Sequence, residues 1–340
     1  GGMQLFAAEA PGPTGDKLHP RITDTAKRLW LIYFGYTVAE TILLKLAGMS
    51  FFDAINHSLA TLSTGGFSTK NLSVAYWNDQ PLIQYIIMLF MFLAGTNFVL
   101  SYYAFKGKVQ KVLHDEEFKF YSIFVLSFTI IAALVIFFKA NVETSAYYPM
   151  VFGEAESAFR HSLFQVLSVI TTTGFVSADF TSWTPFLTIF FFGLMFLGGC
   201  AGSTAGGIKV MRHLLIIKNG LLEFKRTLHV NAVIPVRYNN KTVREHIVYN
   251  IIAFFVLYML LFIIGSLVLG ALGLDFMSAI GGAASSLGNV GPALGTLNPL
   301  SNFNSLPPFG KWWCGFLMLL GRLELFTVLI LFTPYFWKKM

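Results

Sequence analysis

Charge and cysteine are both scarce in this chain of 340 residues. Only 12% of residues are charged, and the two cysteines, Cys200 and Cys314, lie far apart in apolar surroundings. A disulfide or metal framework is therefore not expected. Neither a Gly-x-Ser-x-Gly elbow nor a Gly-x-Gly-x-x-Gly turn occurs. Nothing thus marks a nucleophile-and-base enzyme or a cradle for nucleotide phosphate. A secretory leader is not expected either, since Gly1-Gly2-Met3-Gln4 opens no charged and apolar stretch. Methionine is absent from position 1, so the chain is expected to begin inside a longer protein.

What fills the sequence is apolar. Hydrophobic residues make up 55% and mean hydropathy is +0.64, which excludes an ordinary soluble domain. The runs Leu82–Phe105, Phe120–Phe138, Phe186–Leu197, Ile247–Leu272 and Trp312–Trp337 are mostly long enough to cross about 30 Å of hydrocarbon. The net charge of +7 follows the membrane and is no nucleic-acid signal. Of 24 Lys and Arg, 18 cluster in Lys17–Arg28, Lys106–Lys119, Lys209–Arg244 and Lys338-Lys339. The positive-inside rule puts these segments in the cytoplasm. Trp77, Trp183, Trp312 and Trp313 then flank the outer ends, where amphipathic rings favour the interface.

Three times an apolar run leads into a short helical stretch and a small glycine-bearing turn, and another apolar run follows. The turns are Ser63-Thr64-Gly65-Gly66-Phe67, Thr171-Thr172-Thr173-Gly174-Phe175 and Gly288-Asn289-Val290-Gly291-Pro292. Helices are expected near Leu29–Ala47, Phe51–Leu62, Ser157–Ile170 and Phe276–Leu287. The expected division is a cytoplasmic segment 1–28 followed by units 29–105, 106–228 and 229–340. Helix, re-entrant loop and helix, repeated, is the layout of an ion-conducting pore. Backbone carbonyls at the loop tips replace the water that a cation such as potassium must shed. Glycine lets the backbone aim those carbonyls at an axis. Aligning Gly65 with Gly174 and Gly291 gives spacings of 109 and 117 residues.

Five glycines fall in Gly198-Gly199-Cys200-Ala201-Gly202-Ser203-Thr204-Ala205-Gly206-Gly207. Each disfavours helix by about 1 kcal/mol against Ala, so the apolar run ending at Leu197 breaks inside the membrane. Such a segment suits a gate lining a cavity, or close packing of neighbouring helices by small residues. Ser203 as an intramembrane nucleophile is the weakest alternative. Arg322 falls near the centre of the last run, where a charge is costly and marks an ion pathway or a buried partner. Its expected contact is a carbonyl of the 198–207 loop or the pore itself; the alternative is a salt bridge to Glu40. Glu324, two residues on, faces elsewhere. Asn97 is read as mid-span, bonding either the pore scaffold or a neighbouring helix. His57 and His161 suit packing and hydrogen bonding better than metal ligation. Ile208–Leu228 alternates apolar and basic residues, as does a helix on the inner membrane surface or a solvated helix end.

Taken together, the three turns, the 198–207 break and the Arg322 run resemble the TrkH/KtrB family of potassium transporter subunits along essentially the whole chain. The resemblance implies an all-α integral membrane protein of repeated helix–pore loop–helix units with pseudo-fourfold architecture, three units being present here. A fourth would lie upstream of Gly1. It implies K⁺ as the permeating ion, with no organic cofactor and no catalytic residue. The selectivity filter would be Ser63, Thr64, Gly65, Thr172, Thr173, Gly174, Asn289, Val290 and Gly291. The 198–207 segment would be the gating loop and Arg322 a companion constriction. The implied setting is the bacterial inner membrane, as a homodimer with a cytoplasmic nucleotide-binding, TrkA-like subunit. An ion-coupled secondary transporter with its substrate site at the broken helix is the alternative.

Overall fold

A computed structural model of the protein describes residues 22–139, 151–229 and 231–337. The opening 1–21 and Lys338-Lys339 lie outside the described residues. Among the described residues the regular structure is helical, apart from one small hairpin. Helix α1 spans Ile22–Leu46, α2 Phe51–Leu62, α3 Pro81–Ala94, α4 Phe98–Phe105, α5 Val109–His114 and α6 Glu116–Lys139. Next come α7 Glu154–Ile170, α8 Pro185–Leu194 and α9 Val210–Leu228. The hairpin pairs β1 Arg237–Tyr238 with β2 Lys241–Thr242 antiparallel. Helices α10 Glu245–Ala271, α11 Phe276–Gly288, α12 Pro308–Arg322, α13 Phe326–Leu329 and α14 Pro334–Trp337 complete the order.

Among the described residues three helices, α1, α6 and α10, are long and apolar enough to cross a membrane, or five spans if each bent pair counts as one. Between 17% and 28% of their apolar windows is buried; many of their large apolar side chains, such as Phe34, Ile123, Leu126, Leu260 and Ile263, are exposed. The three shorter helices reverse this. In α7 every residue from Phe164 to Ile170 is buried, Gln165 and Ser168 among them, and so are Arg160, His161 and Ser162. Likewise α2 buries His57, Ser58 and Thr61, and α11 buries Ser278, Ser285 and Ser286. Apolar helices outside and polar helices inside is the arrangement a bilayer demands, because polar groups in hydrocarbon must find partners within the protein. Each short helix packs on the long helix before it: α2 on α1, α7 on α6 and α11 on α10.

Local chemistry fixes where two of the three short helices begin. Ser50 caps α2, accepting from Asp53 N at 3.0 Å and donating to the Asp53 carboxylate at 2.8 Å. Asp275 caps α11 by accepting from Ser278 N at 3.2 Å. Such caps satisfy donors that a helix start leaves open.

Two apolar runs that read as single spans are broken. Leu82–Phe105 divides into α3 and α4, bent by 105° at Gly95–Asn97, and Trp312–Trp337 divides at Leu323–Leu325 with a bend of 112°. Asn97 is therefore not mid-helix: it is the N-cap of α4, accepting from Val99 N at 2.8 Å. Arg322 likewise ends α12 and does not lie within a continuous helix. Hydropathy sums over a run, so neither Asn97 in the first bend nor Arg322 and Glu324 at the second is enough to divide it.

Candidate functional site

Each of the three short helices ends in the same backbone motif. Gly65 N donates to Ala60 O (2.8 Å), Thr173 N to Ser168 O (3.0 Å) and Val290 N to Ser285 O (2.9 Å). One residue earlier, Thr64 N reaches Thr61 O, Thr172 N reaches Val169 O and Asn289 N reaches Ser286 O, at 3.0, 3.1 and 3.2 Å. These are Schellman caps, which need a left-handed residue just past the helix. Thr64 and Thr172 have φ of 53° and Asn289 of 56°. Left-handed backbone costs an L residue about 1–2 kcal/mol, and threonine is branched at Cβ, so two of the three turns hold strain.

The shared motif sets the register between the turns. Thr64, Thr172 and Asn289 are equivalent, and so are Gly65, Thr173 and Val290. The glycine with positive φ is Gly66 (64°), Gly174 (81°) or Gly291 (98°). Gly66, not Gly65, is thus the counterpart of Gly174 and Gly291. The first turn has adjacent glycines, and sequence alone cannot choose between them.

The turns lie edge to edge. A Cβ built on Gly66 would sit 1.9 Å from the carbonyl oxygen of Thr173, and one on Gly174 would sit 2.4 Å from that of Val290. Equivalent carbonyls of successive turns thus rest against the glycine of the turn before. The packing is backbone on backbone and has no room for any side chain at either glycine. Behind it, Ser168 Oγ donates to Phe175 O at 2.5 Å, and the hydroxyls of Thr171 and Thr173 are 2.8 Å apart.

The 198–207 segment forms a loop directly against the turns. Thr64 Oγ1 donates to Thr204 O at 2.8 Å, and Gly206 N donates to Thr172 Oγ1 at 2.6 Å. A Cβ on Gly206 would meet Gly288 O at 3.0 Å. The loop therefore touches all three turns, and the two left-handed threonines supply the side chains that reach it. Arg322 Nη1 donates to the same Thr204 oxygen at 2.8 Å. Among the described residues no ion pair forms at Glu40, which is buried and faces Thr61. Asn289, equivalent to the two threonines, donates instead to Met318 O of α12 at 3.2 Å.

The break in α3–α4 and the loop satisfy one another. Cys200 N donates to Gly95 O at 2.9 Å, Thr204 N to Ala94 O at 3.3 Å, and Phe98 N to Gly202 O at 3.2 Å. Backbone groups freed by unwinding one segment are paired with those freed in the other, as buried irregular backbone requires.

Sequence reasoning missed three further contacts. Glu117, 2% exposed, accepts from Ala201 N at 2.6 Å, anchoring the loop from α6. Lys209 Nζ donates to Ala205 O at 2.5 Å. Arg212 on α9 pairs with Glu324. Glu117 falls at the start of an apolar run where acids are ordinary helix-start residues, so nothing in its spacing singles it out. His57 bonds Asp53 O (2.7 Å) and Ser68 (2.9 Å), and His161 bonds Ser177 (3.1 Å). Outside the membrane-crossing helices, the Ser278 hydroxyl holds the Asp275 carboxyl below the usual carboxylate range.

Behind the second turn runs a buried polar chain. Arg160 is fully buried and donates to Glu156 at 2.8 Å and to Gln84 of α3 at 2.5 Å. Gln84 in turn donates to Asn78 at 2.5 Å, and Asn78 to Ser177 O at 3.1 Å. The chain ties α7 to α3 and to the segment leaving the second turn.

Residues 1–339 match the family described as TrkH, cation transport protein. The Trk system potassium uptake protein TrkH of Escherichia coli K12 is 42% identical over 100% of this chain and 68% of its own length. The Trk system potassium uptake protein TrkG of the same strain is 33% identical, over 67% of its length. The crystal structure of the potassium transporter TrkH from Vibrio parahaemolyticus superposes with a TM-score of 0.87 at 36% identity, covering 98% of this chain and 70% of that one.

Proposed function

The chain belongs to the TrkH family of cation transport proteins, and from that premise we propose that it takes up potassium across a bacterial inner membrane through a gated, selective pore. The observation that carries this reading is the packing of the three turns, where carbonyls of equivalent residues abut the glycines of their neighbours. Potassium is the ion named for the relatives. Carbonyl oxygens of Ser63, Thr64, Gly65, Thr172, Thr173, Gly174, Asn289, Val290 and Gly291 coordinate it, and Gly66 joins them by its position in the motif. Carbonyl dipoles compensate the lost hydration, and weak multiple sites let the ion leave.

The 198–207 loop is the gate and Arg322 the constriction beside it. Thr204 O takes hydrogen bonds from both Thr64 and Arg322, so the filter turn and the constriction are tied to one atom of the loop. In this reading the units are 29–105, 106–228 and 229–340. A homodimer and a cytoplasmic, nucleotide-binding TrkA-like subunit regulate it. Nucleotide sensing belongs to that partner; this chain transports and does not catalyse.

The two helix breaks, bent by 105° and 112°, favour one second reading, a secondary transporter with alternating access. Potassium flux into proteoliposomes separates the two. A pore carries Rb⁺ down its own gradient with neither a Na⁺ nor a pH gradient and gives single-channel currents. Uptake that strictly requires a second ion gradient, without such currents, establishes the carrier.

A further inference from the structure

We propose that Arg212 and Glu324 form a latch that holds Arg322 on the 198–207 loop; the inference rests on the gate reading above. Glu324 lies two residues beyond Arg322, in the break between α12 and α13. It has φ of 61°, and Leu325 after it has φ of 40°. Both are non-glycine residues in backbone that side chains rarely adopt, and together they turn the chain through 112°. Something must hold them there. Leu325 N donates to Leu320 O at 3.0 Å, and the Glu324 carboxylate accepts from Arg212 Nη2.

Arg212 stands in the first turn of α9, the helix that leaves the loop. Its guanidinium lies 3.7 Å from the centre of the Phe254 ring on α10, so two contacts fix it. Its neighbour Lys209 fastens the outgoing end of the loop through Ala205 O. The bent segment thus grips the loop twice: Arg322 on Thr204 O directly, and Glu324 on the helix that follows. Parting Glu324 from Arg212 lets Glu324 and Leu325 relax toward ordinary helical dihedrals. Such relaxation redirects Arg322, the last residue of α12, away from Thr204. Because Arg212 sits at the root of α9, a movement of that helix from the cytoplasmic side acts on the same pair. Arg212 and Glu324 are positioning residues that act through Arg322.

The test is Rb⁺ uptake by proteoliposomes containing the full-length protein. Glu324→Gln and Arg212→Gln are each expected to raise basal uptake at least about fivefold with the Rb⁺/Na⁺ ratio unchanged. The exchanged pair Arg212→Glu with Glu324→Arg should return uptake to the wild-type level. Glu324→Gln combined with Arg322→Ala should be no faster than Arg322→Ala alone. Single variants at wild-type uptake, or an exchanged pair as fast as the singles, overturn the latch. If Glu324→Gln does not fold, Arg212→Lys, which keeps the charge and loses the fork and the stacking, should give an intermediate increase; no increase overturns the proposal. A protein with a shortened 198–207 loop runs alongside. Fast uptake there with unchanged single variants removes the latch only, whereas wild-type uptake there removes the gate and the latch together.

Discussion

Arg322 donates to the carbonyl oxygen of Thr204 at 2.8 Å across a separation of 118 residues. The contact exists because the last apolar run bends just after Arg322, which brings the guanidinium to an unwound backbone able to accept it. A guanidinium near an apolar core needs such acceptors. Carbonyls freed by the glycine-rich loop supply one.

Gly66→Ala should abolish selective uptake, and Gly65→Ala should be far milder. A Cβ at Gly66 meets backbone at 1.9 Å, whereas at Gly65 the nearest atom is the Ser63 hydroxyl at 3.2 Å. Rb⁺/Na⁺ permeability ratios of the two variants, side by side, check the register of the first turn. Equal effects would count against it.

Gly174→Ser should weaken discrimination of K⁺ from Na⁺. The residue has φ of 81° and its Cβ would press on Val290 O at 2.4 Å, so the second and third turns must part. Reversal potentials in bi-ionic conditions read the ratio directly, and an unchanged ratio removes Gly174 from the filter.

Shortening 198–207 should raise flux in the absence of any partner, and Arg322→Ala should raise it while sparing selectivity. Ion-flux assays on protein shown to be folded by size exclusion decide both. Loss of folded protein in Arg322→Ala, with no change in flux per molecule, would assign the residue to structure alone.

Glu117→Ala should loosen the loop, because it leaves the buried Ala201 N–H without its acceptor at 2.6 Å. An unsatisfied buried donor costs about 1–3 kcal/mol. Glu117→Gln keeps an acceptor oxygen and should resemble the wild type. Thermal melting and basal flux measured together distinguish the two variants; identical behaviour argues that the carboxylate does not hold the loop.

Arg160→Leu should destabilise the protein strongly. It leaves Glu156 and Gln84 without the donor they share; breaking a fully buried charge pair costs about 3–5 kcal/mol, and the partial exposure of Glu156 and its bond from Tyr85 put this one below that range. A fall in melting temperature measures this. A melting temperature equal to the wild type would show that the polar chain behind the second turn is dispensable.

Much of the architecture was legible in the chain because it is written locally. Composition and the length of apolar runs determined a helical membrane protein. The short second helix reads as Phe51–Leu62, where it is found, since Ser50 and Asp53 mark its start and Thr64-Gly65-Gly66 its end. The five glycines of 198–207 determined an unwound loop by propensity alone, and the isolated charge of Arg322 pointed to a backbone acceptor. Tertiary structure decided what depends on partners distant in sequence. It broke the runs at Gly95–Asn97 and Leu323–Leu325, where opposing unwound segments or an ion pair satisfy the groups that a bend exposes. It chose Gly66 over Gly65, because only the shared cap and the Thr173 carbonyl distinguish two adjacent glycines. It gave Glu117 and Glu324 their partners, Ala201 and Arg212, by folding the loop onto one and the bend onto the other. Hydrophobicity and propensity are sums over neighbours in the chain, whereas a hydrogen bond between unwound segments is a property of two places at once.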